Sequence, residues 1–300
     1  MINLINYQSE SYNSSDDFRQ VYRFWSDSLK QEYLGIKYSK SILKEIKKKI
    51  ESLIKYKSPT LLEIVGYGIY IQGTKESLMI ITKYYNKVIP LSNILEVLLK
   101  KQKSISISAT KCYIIAVGIA HGMKYLHSKK IYHSNLTPSE IFIDENYYPH
   151  IFYLNLDINS SDIDTTNIYS SSVLLEQKEY YQNDIYAYSI ILYALLTHKD
   201  PHKVNINNPT KVLQGVGDEF TTFFTCSWGP EDIKDMAFEN IYDWLLTKKV
   251  RKEFGDIEIE EVTKFLEFIK NNDETETPES QDDTEKPSKE AAKTEKNSKE

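Results

Sequence analysis

Residues 131–155 carry several polar side chains whose types decide whether proton transfer or metal binding could occur there. Asn135 is a neutral amide, which cannot accept a proton near neutral pH. Tyr153 is a phenol, and a phenol is a poorer Mg²⁺ ligand than a carboxylate. Glu140 offers a carboxylate that could hold a cation, and the alternative is an ordinary solvated or locally paired carboxylate. The chemistry that this stretch offers is therefore weak.

The elements that must position these side chains begin with short strands. Between Ser39 and Tyr56, apolar residues recur at helical spacing with lysines on the other face, which predicts an amphipathic helix ended by Ser58-Pro59. Four stretches rich in β-branched and aromatic residues predict strands, the first two joined as a hairpin, at 18–25, 32–38, 61–72 and 77–84.

The pattern becomes mainly helical from Leu91 onward, so the sequence predicts an α+β protein with a segregated sheet. A last amphipathic helix is predicted from Glu258 to Lys270. After residue 271 the chain has no large apolar residue and cannot bury enough surface to offset its ordering entropy, so a disordered tail is expected.

Charge and cysteine content exclude several classes of protein. Residues 271–300 hold ten acidic side chains and five lysines, so the rest of the chain is close to neutral and gives no electrostatic case for nucleic acid or an anionic membrane. The only cysteines, Cys112 and Cys226, form no CxxC pair and no Cys/His cluster at zinc spacing, which argues against a disulfide framework and a structural metal.

Location in a reducing compartment, the cytoplasm, is expected from the same features. The N-terminal residues lack a basic segment followed by a long apolar core, as a signal peptide would require. The longest apolar runs, Cys112 to Ala120 and Ile185 to Leu196, are shorter than the roughly 20 residues of a membrane span. They predict buried core helices.

One region resembles the helix and catalytic loop of protein kinases, closest to the tyrosine-kinase-like group. It runs from Ile119 to His127 and then through His133-Ser134-Asn135 to Asp144. Three further matches follow the order of the family: Gly35-Ile36-Lys37 resembles the strand lysine motif, Ile80 to Tyr85 the last strand and hinge of the N-lobe, and Asn183-Asp184-Ile185-Tyr186 the start of the central helix.

The resemblance implies a two-lobed protein kinase fold, with a small β-rich N-lobe that carries one helix and a larger, mainly helical C-lobe. The implied division is an N-lobe at residues 1–84, a C-lobe with an extra C-terminal helix at 85–271, and an acidic, lysine-rich tail at 272–300.

The positions that perform phosphoryl transfer in this family hold other residues here. Asn135 stands for the H-R-D carboxylate, Thr137 for the lysine that steadies the transferred phosphate, Glu140 for the metal-binding Asn, and Tyr153 for the metal-binding Asp of D-F-G. The glycine-rich loop aligns with residues 14–21, which contain no glycine. No metal site and no catalytic residue is therefore expected, although Glu140 alone leaves cation binding open.

The strand lysine is kept as Lys37, but Lys49 aligns with the helix glutamate that pairs with it in the family. A shifted helix would offer Glu45 or Glu51 instead, and an ordinary exposed lysine is the alternative. Other positions implied for nucleotide binding are Thr82 as gatekeeper, Lys83 and Tyr85 in the hinge, and Phe142 below the adenine. Gly35 takes the place of the usual Ala above the adenine, and Phe142 is expected to lean into the space that this leaves and fill the pocket, or else to be simple core.

Positions with structural roles in the family are kept. The four stacked side chains that join the lobes align with Leu53, Ile64, His133 and Leu154, all able to pack. Asp184 aligns with the Asp that hydrogen-bonds the catalytic-loop backbone, and it is also expected to cap the start of its helix.

The function implied is that of a pseudokinase, a kinase-like scaffold or allosteric regulator in signalling that binds a protein partner such as an active kinase or its substrate. One alternative is an atypical protein kinase with weak ATP-dependent activity that uses Lys37 and Glu140. Another is a sensor that binds ATP without Mg²⁺ and without catalysis; otherwise no cofactor is expected.

Overall fold

The computed structural model describes most of the chain between Tyr7 and Asp273. The described ranges are 7–8, 19–26, 30–38, 43–72, 75–100, 107–154, 167–177, 179–203, 205, 208–229 and 232–273. Three sequence predictions fall wholly or partly outside them: residues 14–18 of the glycine-loop position, the side chain of Glu45, and the tail from residue 274.

The first part of the chain forms a five-stranded antiparallel sheet in the order β1-β2-β3-β5-β4. The predicted hairpin is present, with Val21 opposite Ile36. The next two strands also pair antiparallel, with Tyr67 opposite Ile80, which the sequence had not predicted. Four of the five strands had been predicted, and each of their boundaries lies within three residues of the predicted one. The strands are β1 (Tyr7–Gln8), β2 (Arg19–Ser26), β3 (Gln31–Tyr38), β4 (Ile64–Gln72) and β5 (Lys75–Lys83).

The two faces of this sheet are both apolar at its centre, because successive side chains of a strand point to opposite faces. Leu34 and Ile80 belong to the main core, whereas Tyr33, Met79 and Ile81 form a small separate cluster. Among the described residues of this region there is one helix, α1 (Leu43–Leu53), which adds the fully buried Ile50 to the main core.

The predicted helix is shorter than the pattern from Ser39 to Tyr56 indicated. Helix α1 ends at Leu53, three residues before Tyr56, because the chain turns there and the Tyr56 N–H donates to the Leu53 carbonyl at 3.0 Å.

The second part is mainly helical and carries a small three-stranded sheet in the order β6-β7-β8. Its elements are β6 (Ile89–Pro90), α2 (Leu91–Leu99), α3 (Ala109–Ser128), β7 (Ile141–Ile143), β8 (Pro149–Ile151), α4 (Ser172–Glu176), α5 (Tyr180–Thr197), α6 (Pro209–Val212), α7 (Asp218–Trp228), α8 (Phe238–Leu245), α9 (Lys248–Glu253) and α10 (Ile259–Asn272).

Helices α3 and α5 form the centre of this part, which confirms that the two long apolar runs are buried core helices. Both are apolar on every side, as expected of helices enclosed by other elements. Gly118 allows close packing of α3, because a Cβ there would lie 2.4 Å from Cγ of Pro149. Across the described ranges, every helix is too short or too polar to cross a bilayer.

Helix α10 closes the fold against α3 and the β7–β8 hairpin. Its buried residues Val262, Phe265 and Ile269 recur at helical spacing, and the Tyr148 ring lies 4.8 Å from that of Phe265. The helix continues to Asn272, two residues beyond the predicted end. Asp273 also belongs to the ordered fold, because its Oδ2 lies 3.0 Å from Nε2 of His121 on α3.

Buried tyrosines should make the fold sensitive to alkali. Burial raises the pKa of Tyr113, Tyr186 and Tyr242 to about 12. Because these folded-state pKa values exceed the unfolded value near 10, their contribution to stability is complete below about pH 10 and is lost as pH rises toward 12. As the pH is raised, we expect the tyrosinate absorbance of these buried residues to increase in the same step in which the far-UV circular dichroism signal is lost. Smooth titration of all tyrosines near pH 10 with unchanged dichroism would contradict this.

Candidate functional site

Asp184 holds the segment that aligns with the kinase catalytic loop. Its carboxylate is completely buried and accepts hydrogen bonds from the backbone N–H of His133 at 2.8 Å and of Ser134 at 2.7 Å. Nε2 of His127 lies 2.9 Å from the same carboxylate. Ser134 has φ of +62°, a left-handed conformation that is costly for a non-glycine residue. The bonds to Asp184 therefore fix a loop shape that the backbone alone would not favour.

Asp184 does not cap its helix, contrary to expectation. Helix α5 begins at Tyr180, four residues earlier, and Glu179 occupies the N-cap position. The sequence prediction erred because the buried apolar run begins at Ile185, whereas the first turn of the helix is more polar. The carboxylate is thus available to the loop instead of to the helix end.

The four side chains predicted to join the two parts of the chain are all buried. Leu53, Ile64 and Leu154 belong to one continuous core cluster. His133 is also buried, with Nε2 3.0 Å from the Phe152 carbonyl oxygen, so Nε2 carries the proton and donates. These positions link helix α1, strand β4, the loop and the segment after β8.

Tyr153, at the position that aligns with the metal-binding Asp, is a buried structural residue. Its hydroxyl lies 3.1 Å from the Leu53 carbonyl and 3.0 Å from the Tyr56 carbonyl, so one proton is shared between two acceptors. Carbonyls at a helix C-terminus lack partners within the helix, and a buried phenol needs an acceptor. The Tyr153 hydroxyl thus joins the end of α1 to the segment after β8.

The protonation state of Tyr153 suits this contact. Burial, reinforced by Tyr125 and Glu63, raises the pKa of its phenol above the ordinary value of 10. The hydroxyl therefore stays neutral and donates at every physiological pH. In this arrangement it presents no anionic oxygen to a cation.

The remaining aligned positions lie close to one another along the loop. Asn135 and Thr137 are half-buried, and Glu140 is 4% exposed at the end of a 3₁₀ turn, Pro138–Glu140. The Glu140 backbone accepts from the Phe152 N–H at 2.8 Å, which ties this turn to the start of the Tyr153 segment. Within the described ranges, no three or more His, Cys, Asp or Glu side chains cluster as metal ligands.

Most of the candidate nucleotide residues lie on β3 and β5 of the five-stranded sheet and on β7 of the three-stranded sheet. Lys37 is half-buried on β3, opposite Met79 of β5. Thr82 is fully buried on β5, and Phe142, on β7, is 6% exposed and pairs in register with His150. Their role in nucleotide binding stays a prediction.

The end of β5 and the residues that follow it are held in place by backbone and ring contacts. The Lys83 N–H donates to the Glu63 carbonyl at 2.9 Å. The Tyr85 ring lies 3.9 Å from the ring of His150, and its hydroxyl donates to the Leu61 carbonyl at 3.4 Å. Burial, with a smaller contribution from Glu63, raises the pKa of Tyr85 above its ordinary value. Two hinge candidates are thus built into the fold through their backbone or ring.

Of the two helix glutamates considered as partners of Lys37, Glu51 is the one whose side chain is described. Glu51 is exposed, and its carboxylate accepts from the Tyr67 hydroxyl at 3.3 Å. Lys49 is half-buried on α1. The Glu51 carboxylate therefore contacts strand β4, on which Tyr67 lies.

Several contacts of this region had no counterpart in the sequence prediction. The Tyr153 hydroxyl bonds, the Tyr85–His150 ring contact and the His127–Asp184 bond were not foreseen. The sequence did contain a signal for the Tyr153 contact. A phenol in an apolar stretch such as Ile151 to Leu154 is expected to be buried, and a buried hydroxyl requires a hydrogen-bond acceptor.

Comparison with known proteins agrees with this geometry. Residues 34–223 match the family described as protein tyrosine and serine/threonine kinase. A probable serine/threonine-protein kinase of Dictyostelium discoideum is 28% identical over 177 residues, covering 56% of this chain and 12% of that protein. The dual specificity protein kinase shkB of the same organism is 23% identical over 250 residues, covering 78% of this chain and 37% of that protein. The chain thus spans well under half of either relative.

Solved structures share the fold at low identity. Rad53 residues 1–466, in complex with AMP-PNP, aligns with a TM-score of 0.61 at 15% identity, over 80% of this chain and 65% of that one. A mutant of the Neurospora crassa PAN3 pseudokinase aligns with a TM-score of 0.60 at 13% identity, over 90% of this chain and 64% of that one. The two-lobed α+β kinase fold is therefore confirmed. With most of its length matched in sequence and its architecture shared, the chain belongs to the protein tyrosine and serine/threonine kinase family.

Proposed function

We propose that this chain is a pseudokinase of the tyrosine-kinase-like group, which acts by binding a protein partner and does not transfer phosphate. The observation that carries the proposal is the Tyr153 hydroxyl. At the position of the metal-binding Asp it is buried and donates to the Leu53 and Tyr56 carbonyls. A residue held in this way supports the end of α1 and cannot act as an anionic Mg²⁺ ligand.

The loop residues support the same proposal. An amide at Asn135 removes general-base assistance, which contributes about 10²- to 10⁴-fold to rate in typical enzymes. Thr137 supplies no positive charge for a transferred phosphate. The structural contacts of the loop, made by His133 and Asp184, are retained. Retained architecture with altered reacting groups suits a rigid binding surface, and a partner such as an active kinase or its substrate is the class we infer.

A weakly active kinase is the second candidate. It is favoured by the names of the two Dictyostelium relatives, both called kinases, and by the retention of Lys37 on β3. Glu140, close to the loop, is the carboxylate that such an activity would use.

Phosphoryl transfer by the purified chain distinguishes the two candidates. With radiolabelled ATP, Mg²⁺ or Mn²⁺ and a mixed protein substrate, we expect incorporation equal to that of a Lys37→Ala variant. Metal-dependent incorporation that the Lys37→Ala change abolishes would overturn the pseudokinase proposal. Because Lys37 is half-buried on a sheet strand, circular dichroism of the variant verifies that it is folded.

Phe142 offers a test of whether its side chain excludes nucleotide. If the Phe142 ring fills the adenine position, Phe142→Leu should create an ATP-dependent rise in melting temperature that the parent lacks. Ligand at 100 times its dissociation constant would add about 2.7 kcal/mol. Ile143→Val, a similar loss of buried volume at the next position of β7, is the matched control and should show no ATP effect. Absence of any ATP effect in Phe142→Leu would reject this role.

A further inference from the structure

A groove on the helical part of the chain is not used by any of the contacts described so far. It lies between α7, α8 and the 3₁₀ turn Asp232–Asp235, and encloses about 330 Å³. This volume is in the range of small binding sites. Its walls and rim are made chiefly by Glu219, Phe223, Asp235, Met236, Ile241 and Trp244.

The floor and walls of the groove are apolar and partly rigid. The Phe223 and Trp244 rings are stacked with centroids 4.9 Å apart, and Ile241 is almost fully buried beside them. Met236 is half-buried at the edge. A thioether side chain adapts its shape to what it contacts. The groove therefore combines a fixed aromatic wall with an adjustable edge.

The rim is acidic. Of the ten described residues that line the groove, Glu219 and Asp235 carry negative charge and none carries positive charge. Glu219 is engaged, since it accepts from Trp244 Nε1 at 3.0 Å and pairs with Lys249, while Asp235 is exposed. Burial, and after it the charge of Asp232, raises the pKa of Cys226, which also lines the groove. Asp235 is therefore the rim charge that a binding partner would meet.

We propose that this groove binds a basic amphipathic helix of a partner protein, an inference that rests on the protein-binding function proposed above. Apolar side chains at positions i, i+3 and i+4 of such a helix would fill the groove, and a lysine or arginine would meet the exposed Asp235 carboxylate on the rim. The chain's own tail does not fit this role, because residues 274–300 include no large apolar side chain that could fill the groove. A second copy would bring an equally acidic rim.

Methionine methyl NMR offers a direct test, because the chain contains only Met1, Met79, Met123 and Met236. Met79 and Met123 are buried outside the groove and serve as internal controls. The probe is a designed helical peptide with leucines on one face and lysines on the other. Its counterpart carries glutamates in place of the lysines. We expect the basic peptide to shift the Met236 methyl signal and leave those of Met79 and Met123 unchanged.

Two charge reversals complete the test. Asp235→Lys should weaken binding of the basic peptide at least about tenfold. Glu267→Lys, at an exposed position on α10 away from the groove, should leave it unchanged. Binding that is equal for both peptides, that is unaffected by Asp235→Lys, or that is absent altogether would overturn the proposal, as would dimers that disappear in Asp235→Lys. None of these outcomes would change the results expected for the Tyr153 variants or for phosphoryl transfer. Failure of the groove proposal can therefore be told apart from failure of the pseudokinase proposal.

Discussion

Asp184→Ala is expected to lower the free energy of unfolding by about 3–5 kcal/mol, because each buried donor left without its acceptor costs about 1–3 kcal/mol. The carboxylate accepts from two backbone N–H groups of the loop and contacts Nε2 of His127 within the core. Its loss leaves these donors buried without an acceptor, and Ser134 loses the bond that supports its positive φ. Thermal and urea unfolding followed by circular dichroism measure the change.

A more conservative variant separates the contribution of the acceptor from that of the charge. Asp184→Asn keeps one carbonyl oxygen that can accept from a backbone N–H, so it should lose less stability than Asp184→Ala. Glu267→Ala, at an exposed position, should stay within about 0.5 kcal/mol of the parent. An Asp184→Ala protein that melts with the parent would refute the role given to this carboxylate.

Tyr153→Phe is expected to cost about 1–3 kcal/mol, because the ring stays in place while the Leu53 and Tyr56 carbonyls lose their shared donor. Tyr186→Phe is the matched control. It removes the same atom from another buried tyrosine, whose raised pKa has burial as its only cause, and it should cost less. Equal stability of the parent and Tyr153→Phe would show that the hydroxyl does not support helix α1.

Tyr153→Asp distinguishes a residue adapted to the fold from one that merely replaced a metal ligand. A carboxylate at this 2%-exposed position would be repelled by the two carbonyl oxygens, so we expect a loss larger than that of Tyr153→Phe, about 3 kcal/mol or more. Mg²⁺ should not recover this loss. Recovery of the melting temperature by Mg²⁺ would mean that the site retains its metal geometry.

The architecture was largely predictable because it depends on patterns that are local in sequence. Period-two strands, an amphipathic helix and two long apolar runs located the sheet, α1, α3 and α5 to within a few residues. The ordered kinase-like matches then gave the arrangement of the two lobes. The errors lie at helix ends, where turns such as that after Leu53 depend on contacts outside the helix.

The site was predictable as a set of positions but not as a set of bonds. Asp184 and His133 were expected near each other, whereas the place of Tyr153 was inferred only as the loss of a carboxylate. Its hydroxyl contacts join residues 97 to 100 apart in sequence, and no local pattern encodes such a distance. The acidic groove was missed for the same reason, because Phe223 and Trp244 meet only after α7 and α8 pack together.

Calorimetric titration of the purified chain with ATP, with and without Mg²⁺, tests the central claim most directly. Since Tyr153 is bonded to the end of α1 and stays neutral, the account predicts that Mg²⁺ does not tighten ATP binding, whether or not ATP alone binds weakly. ATP binding that becomes at least about tenfold tighter with Mg²⁺, a gain of roughly 1.4 kcal/mol, would contradict it.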